Sequence, residues 1–154
     1  MTGTILLTGG TGKTASRIAD KLQSRNIPVL LASLDVKSSG PAGFKAVRFD
    51  WYDVETYSNP FDEDKNIDTV YIVFPYLVPG VDAIAMVKKF IDFAKGRGIG
   101  RFLLMSAAGV EKGLVPQGLI HAHLDAIGVD YAVLKPSWFF GTLICSLLVK
   151  SITK

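Results

Sequence analysis

With 154 residues, 49% of them hydrophobic and 20% charged, the chain suits one well-cored soluble domain and leaves little room for a second. The formal charge of +3 is spread out, without a basic stripe or a run of like charges, so no nucleic-acid partner is expected. Cys145 is the only cysteine, which excludes a disulfide framework and suits a reducing compartment. Met1 to Thr11 lacks the basic start and cleavage pattern of a signal peptide, and a cytoplasmic location is expected.

In chain order, Ile5 to Leu7 predicts a first strand. Ala15, Ile18, Ala19 and Leu22 then recur at helical spacing, giving a helix with its apolar face on the sheet, ended near Asn26. Pro28 to Ala32 reads as a second strand, residues 38–43 as a loop, and Lys45 to Phe49 as a third strand. Residues 52–67 are polar, with Asn59-Pro60 as a break and room for one short helix. Thr69 to Phe74 is apolar on both faces, as a central parallel strand should be. Ala83, Val87, Phe90 and Ala94 predict the next helix, closed by Gly96 and Gly98. A fifth strand over Phe102 to Met105 follows, then a helix carrying Ile120, Leu124 and Ile127, then a sixth strand over Tyr131 to Leu134. This alternation predicts an α/β fold: a doubly wound, Rossmann-like parallel sheet with right-handed crossovers and strand order 3-2-1-4-5-6, ending after the sixth strand. We divide the chain into a dinucleotide-binding domain, 1–136, and an apolar tail, 137–154. Within the tail, Trp138 to Val149 falls short of the roughly twenty residues a membrane span needs. It reads instead as a buried or partner-facing helix, and no membrane association is expected.

The chemistry concentrates at residues 4–15, where an apolar strand runs into Thr-Gly-Gly-Thr-Gly and then into a helix. That order is how an open α/β sheet holds a dinucleotide pyrophosphate. Gly9 would permit the tight turn, Gly12 the close approach of phosphates, and Ala15 the packing of helix on strand. The helix then aims its unpaired N–H groups at the anion. Gly12-Lys13-Thr14 resembles the end of a triphosphate P-loop, but the glycine that loop requires five residues earlier is Leu7, inside the predicted strand. That reading fails.

About twenty residues past the turn, where an acidic residue commonly grips an adenosine ribose, the chain reads Ala32-Ser33-Leu34-Asp35. No arginine is present there to take a 2′-phosphate, and Asp35 would repel one, which favours NAD. Lys13 and Lys37 are close enough in sequence to pair a phosphate, so NADP stays open. Asp50 and Trp51 follow the third strand, where adenine rests in this fold, although Trp51 would serve equally well as core. Pro75 follows the fourth strand and Ser106 ends the fifth, both at the carboxyl edge where such sheets bind ligands. Ser106 is the one weak catalytic candidate, since a strand-ending serine also forms turns. The helix after strand five, Gln117 to His123, holds neither tyrosine nor lysine. Its two histidines, His121 and His123, point to different faces, so no shared metal is expected, and His123 falls on the apolar stripe as a core residue. Reducing a ketone needs an acid for the alkoxide, whereas an iminium carbon needs only hydride. The missing acid therefore points to a C=N substrate or to no chemistry.

Several blocks together carry a family resemblance. Thr8 to Ser16, Phe49-Asp50-Trp51, Lys88 to Gly98, Arg101 to Ala107, His121 to Leu124 and Tyr131 to Phe139 resemble the NmrA-like branch of atypical short-chain dehydrogenases. More narrowly, they resemble the fungal festuclavine and agroclavine dehydrogenases of ergot alkaloid biosynthesis, from Thr4 to about Phe140. The resemblance implies reduction of a tetracyclic ergoline iminium by a nicotinamide cofactor. Carried over by position, Gly9, Thr11, Gly12, Lys13 and Thr14 would hold the phosphates, and Ser33 and Asp35 would lie near the adenosine ribose. Pro75 and Ser106 would line the nicotinamide end, Ser106 standing where short-chain dehydrogenases place a catalytic serine. The Tyr-x-x-x-Lys pair of those enzymes is missing here. Family members continue for about as many residues again, so the expectation is a cofactor half completed by a second polypeptide. The alternatives are a non-enzymatic redox-sensing module and an inactive remnant.

Overall fold

The alternation of apolar runs with amphipathic stretches yields six strands: β1 (Thr4–Thr8), β2 (Val29–Ser33), β3 (Lys45–Arg48), β4 (Ile67–Val73), β5 (Arg101–Met105) and β6 (Asp130–Leu134). Four helices accompany them: α1 (Lys13–Gln23), α2 (Asn59–Glu63), α3 (Ala83–Gly96) and α4 (Val115–Ala126). The computed structural model describes residues 3–36, 43–75 and 77–137. Lys37 and the tail from Trp138, with Cys145 and its expected helix, lie outside the described residues.

All strand pairs are parallel and the order is β3-β2-β1-β4-β5-β6, as the sequence predicts. The sheet separates two unequal cores. On one face Leu6, Leu30, Val70, Ile72, Phe102 and Leu104 pack against Val87, Phe90 and Ile91 of α3 and Ile120 and Leu124 of α4. The other face holds a smaller cluster in which Leu7, Leu31 and Tyr71 meet Ala15 and Ala19 of α1. Those two alanines are buried, and their small size lets α1 lie close on the sheet, the role expected of Ala15.

One expectation is corrected between β3 and β4. Asn59-Pro60 does not break the chain there but opens α2, preceded by a 3-10 turn over Val54–Tyr57. Proline fits a first helical turn because its missing N–H has no partner there anyway. Phe61, the next residue, is buried against Phe90 and Phe93. No helix among the described residues is long and apolar enough to cross a membrane.

Candidate functional site

β1 and β4 lie side by side although the chain winds away from β1 toward β2 in one direction and away from β4 toward β5 in the other. A doubly wound sheet binds ligands at the carboxyl edge of such a switch point. The Thr8 hydroxyl fastens this point: it donates to the Tyr71 carbonyl at 2.9 Å and accepts from the Val73 N–H at 2.9 Å. The glycine turn follows at once. Gly9 takes φ +65°, a conformation that favours glycine. Gly10 is pressed onto β2, its N–H donating to the Ala32 carbonyl at 2.9 Å. A Cβ on Gly10 would stand 2.9 Å from that of Leu31, so only glycine fits. The Gly12 N–H donates to the Gly9 carbonyl at 2.7 Å, and a Cβ on Gly12 would crowd that carbonyl at 3.0 Å.

Gly12 is also the N-cap of α1, and no side chain accepts from the helix's first N–H groups. The first turn contains no acidic residue. Helix starts are normally satisfied by a capping oxygen, so these N–H groups and the positive dipole end stay available to an anion. Beside the turn opens a cleft of about 330 Å³, whose walls come from the carboxyl ends of four strands. Gly9 and Thr11 contribute from β1, Ser33 and Asp35 from β2, Asp50 and Trp51 from β3, and Pro75 from β4. The structure thus gathers seven of the expected site residues around one cavity. Gly12, Lys13 and Thr14 do not line the cavity but stand at the start of α1, with Gly12 and Lys13 exposed.

Local hydrogen bonds fix these walls. The Ser33 hydroxyl donates to the Asp35 carbonyl at 3.3 Å, bending the chain as it leaves β2. The Asp50 carboxylate accepts from the Tyr52 N–H at 2.9 Å, while the Asp50 N–H donates to the Thr56 hydroxyl at 2.9 Å. Trp51 fills both roles open to it. It is only 8% exposed, edge-on to Phe49 at 4.9 Å and to Phe90 at 5.2 Å, yet it borders the cleft. The Tyr57 hydroxyl donates to the Trp51 carbonyl at 2.8 Å, and burial together with the Asp50 charge pushes its pKa up to about 12.

Ser106 is buried at the end of β5, its N–H donating to the Leu134 carbonyl at 2.8 Å, and it does not border the cleft. His123 departs from its expected core role. Its Nε2 pairs with the Asp92 carboxylate of α3 at 2.7 Å, because the α3–α4 seam places a carboxylate opposite the stripe position. His121 stands edge-on to Tyr131, and burial with the nearby Lys112 and Lys135 lowers its pKa, which keeps it neutral at physiological pH. Sequence reasoning singled out Phe74 beside Pro75, which also lines the cleft, but passed over Thr8, Gly10, Tyr52 and Val73. Of these only Gly10 carried a signal, as the second glycine of its pair.

Fold and site together define a dinucleotide-binding domain of the doubly wound class. The chain belongs to the NAD(P)H-binding family, whose model matches residues 9–140. A nicotinamide cofactor is therefore its ligand class. The chain is 48% identical over 138 residues to agroclavine dehydrogenase of Claviceps fusiformis, covering 88% of this chain and 47% of that protein. It is 39% identical over 147 residues to festuclavine synthase I of Penicillium roqueforti, covering 92% of this chain and 50% of that one. The chain thus spans about half the length of these curated relatives. Among solved structures, triphenylmethane reductase of Citrobacter sp., crystallised with NADP(H), superposes with a TM-score of 0.71 at 14% identity. That likeness covers 91% of this chain and 51% of the reductase, and it concerns the fold.

Proposed function

We propose that this chain is the cofactor-holding part of a reductase that acts on an ergoline iminium. The observation that carries the reading is the uncapped start of α1, held open by Gly9, Gly10 and Gly12 beside a cleft drawn from four strands. A bound nicotinamide cofactor would supply hydride. The chain's own residues do the rest. Backbone N–H groups at Gly12, Lys13 and Thr14 hold the pyrophosphate, Ser33 and Asp35 meet the adenosine ribose, and Asp50 and Trp51 border the base. Pro75 stands toward the nicotinamide end, while Ser106 lies outside the cleft. The iminium substrate is supported by the names of the relatives and by α4, which carries no tyrosine or lysine to protonate an alkoxide. The cofactor is NAD, because Asp35 borders the cleft and its negative charge would repel a 2′-phosphate there. The substrate wall comes from residues beyond these 154, on a continuation of the chain or on a second polypeptide. A reducing cytoplasm suits the single cysteine.

Calorimetric titration with NADH and with NADPH tests the cofactor reading. NADH is expected to bind at least tenfold more tightly, Asp35→Ser to narrow that gap, and Gly12→Asp to abolish heat with both. Equal affinity for the two cofactors would overturn the role of Asp35. Loss of NADH absorbance on adding an ergoline iminium, in the presence of the complementary half, tests the reaction. Cofactor binding without turnover in that mixture would instead favour a redox-sensing module.

A further inference from the structure

We propose that Leu114 and Val115, on the connection from β5 into α4, are the residues with which this chain itself holds the substrate's ring system. The inference rests on reading the chain as the cofactor-holding part of an iminium reductase. It goes further by giving these 154 residues a share in substrate recognition, in addition to the wall that lies beyond them.

The placement of exposed apolar side chains comes first. Among the described residues, every exposed large hydrophobic is the last residue of a strand or stands in a segment that has just left a strand's carboxyl end. None stands in a segment returning to an amino end. Single apolar residues scattered over a surface need no explanation, but their confinement to one edge of a sheet does. Leu34 lines the cofactor cleft and is accounted for. Leu77 and Val81 after β4, and Leu114 and Val115 after β5, are not. The two connections start level with each other, since Val73 and Met105 are register partners, and Pro75 on the first of them lines the cleft. On the reading above, that is the nicotinamide side of the edge.

The connection from β5 is held in place. The Ala108 N–H donates to the Pro136 carbonyl at 2.9 Å, and the Gly113 N–H donates to the Gly118 carbonyl at 2.8 Å. Lys112 pairs with Asp125 of α4 at 2.9 Å. A Cβ on Gly118 would collide with the Glu111 carbonyl, so the chain lies directly on the first turn of α4. Leu114 and Val115 are thus 59% and 56% exposed on a backbone fixed from both sides.

Local chemistry disfavours both residues where they stand. Val115 takes φ +43°, a left-handed conformation that a β-branched residue avoids. The other non-glycine residue with positive φ among those described is Asn26, a type that tolerates it. Leu114 occupies the N-cap of α4, and no side chain caps that helix. Glycine at 115 and serine or aspartate at 114 would suit this backbone better. Strain of this kind survives where surrounding contacts impose it, and it collects at sites that meet ligands. What the two side chains offer is a rigid apolar surface, for no polar side chain interrupts Gly113-Leu114-Val115-Pro116. That surface suits the hydrocarbon frame of a polycyclic ring system and gives a sugar's hydroxyls no side-chain partner.

The test follows the leucine and valine methyl groups by NMR while the ergoline amine festuclavine, a product-like probe, is added to the 154-residue chain saturated with NAD+. The Leu114 and Val115 methyls are expected to show the largest shifts, with Leu34 and Val54 unmoved. Leu114→Ser is expected to weaken the probe at least fivefold and to leave NAD+ affinity within twofold. Val115→Gly is expected to raise the midpoint of urea unfolding, by releasing the strain, while weakening the probe at least threefold. A merely structural residue would move both readings in the same direction. Largest shifts away from the two residues, no shifts at all, probe affinity unchanged in either variant, or a lower midpoint for Val115→Gly would overturn the proposal. NAD+ binding is measured separately by calorimetry. A chain that takes NAD+ but fails these tests sinks this inference alone, whereas one that takes no cofactor sinks the underlying reading as well.

Discussion

At β3 the sheet ends in a lysine, an arginine and a short helix laid alongside; at β6 it ends in Tyr131-Ala132-Val133-Leu134, with no further strand paired to it among the described residues. The β3 flank also carries a cluster of aromatic rings. Phe49, Trp51, Tyr57 and Phe90 interlock at ring separations of 4.8 to 5.7 Å, and the cofactor cleft is built against this cluster. Among the described residues the β6 flank packs on α4 and leaves Leu134 and Ala132 exposed. One flank is therefore finished locally and carries the rigid half of the site. The other presents apolar side chains, Ala132 and Leu134, where the first presents charged ones.

The contrast is sharpest in truncation. Phe90→Ala removes the ring at the centre of the aromatic cluster and is expected to cost about 3–5 kcal/mol in urea unfolding. The same experiment on Leu134→Ala should read below about 1 kcal/mol, because that side chain is already 44% exposed. Equal costs would erase the distinction between the flanks. An alkaline titration comes next. Folding favours the neutral Tyr57 phenol and holds its pKa at about 12, above the ordinary value near 10. Its contribution is therefore complete below pH 10 and lost as the pH rises through about 12, a loss of about 2–3 kcal/mol followed by circular dichroism. Tyr57→Phe should remove that tyrosine's share of the slope. Asn59→Ala uncaps the outward Arg48 carbonyl and should cost about 0.5–1 kcal/mol, with faster exchange at β3. Smallest of all, Leu134→Ser should change the melting temperature of the chain alone by no more than a degree or two, an effect within about 0.5 kcal/mol.

Much of this was legible beforehand because it is local. The strand runs, the helical stripes and the Gly9–Gly12 turn are written at periods of two, at 3.6, and at fixed glycine spacings, and each needs only its neighbours to be read. Seven of the expected site residues meet at one cleft because parallel crossovers bring every strand's carboxyl end to the same edge. Where the reading erred, a distant partner decided. Pro60 opens a helix because Phe61 is drawn into the Phe90 cluster, and His123 leaves its core role because Asp92 on another helix lies opposite. The part Thr8 plays could not be read locally, because β4 supplies the carbonyl and the N–H that its hydroxyl meets.

By itself, the sequence determined the class of fold, the strand order and the turn that meets an anion, since apolar period and glycine placement act through the nearest chain. Tertiary structure alone decided that Gly10 has no room for a side chain, that Trp51 is both core and cleft wall, and that Ser106 stands away from the cavity. It also decided which edge of the sheet is closed. Each of those depends on groups far apart in the chain reaching within a few ångströms of one another, a condition that no local pattern encodes.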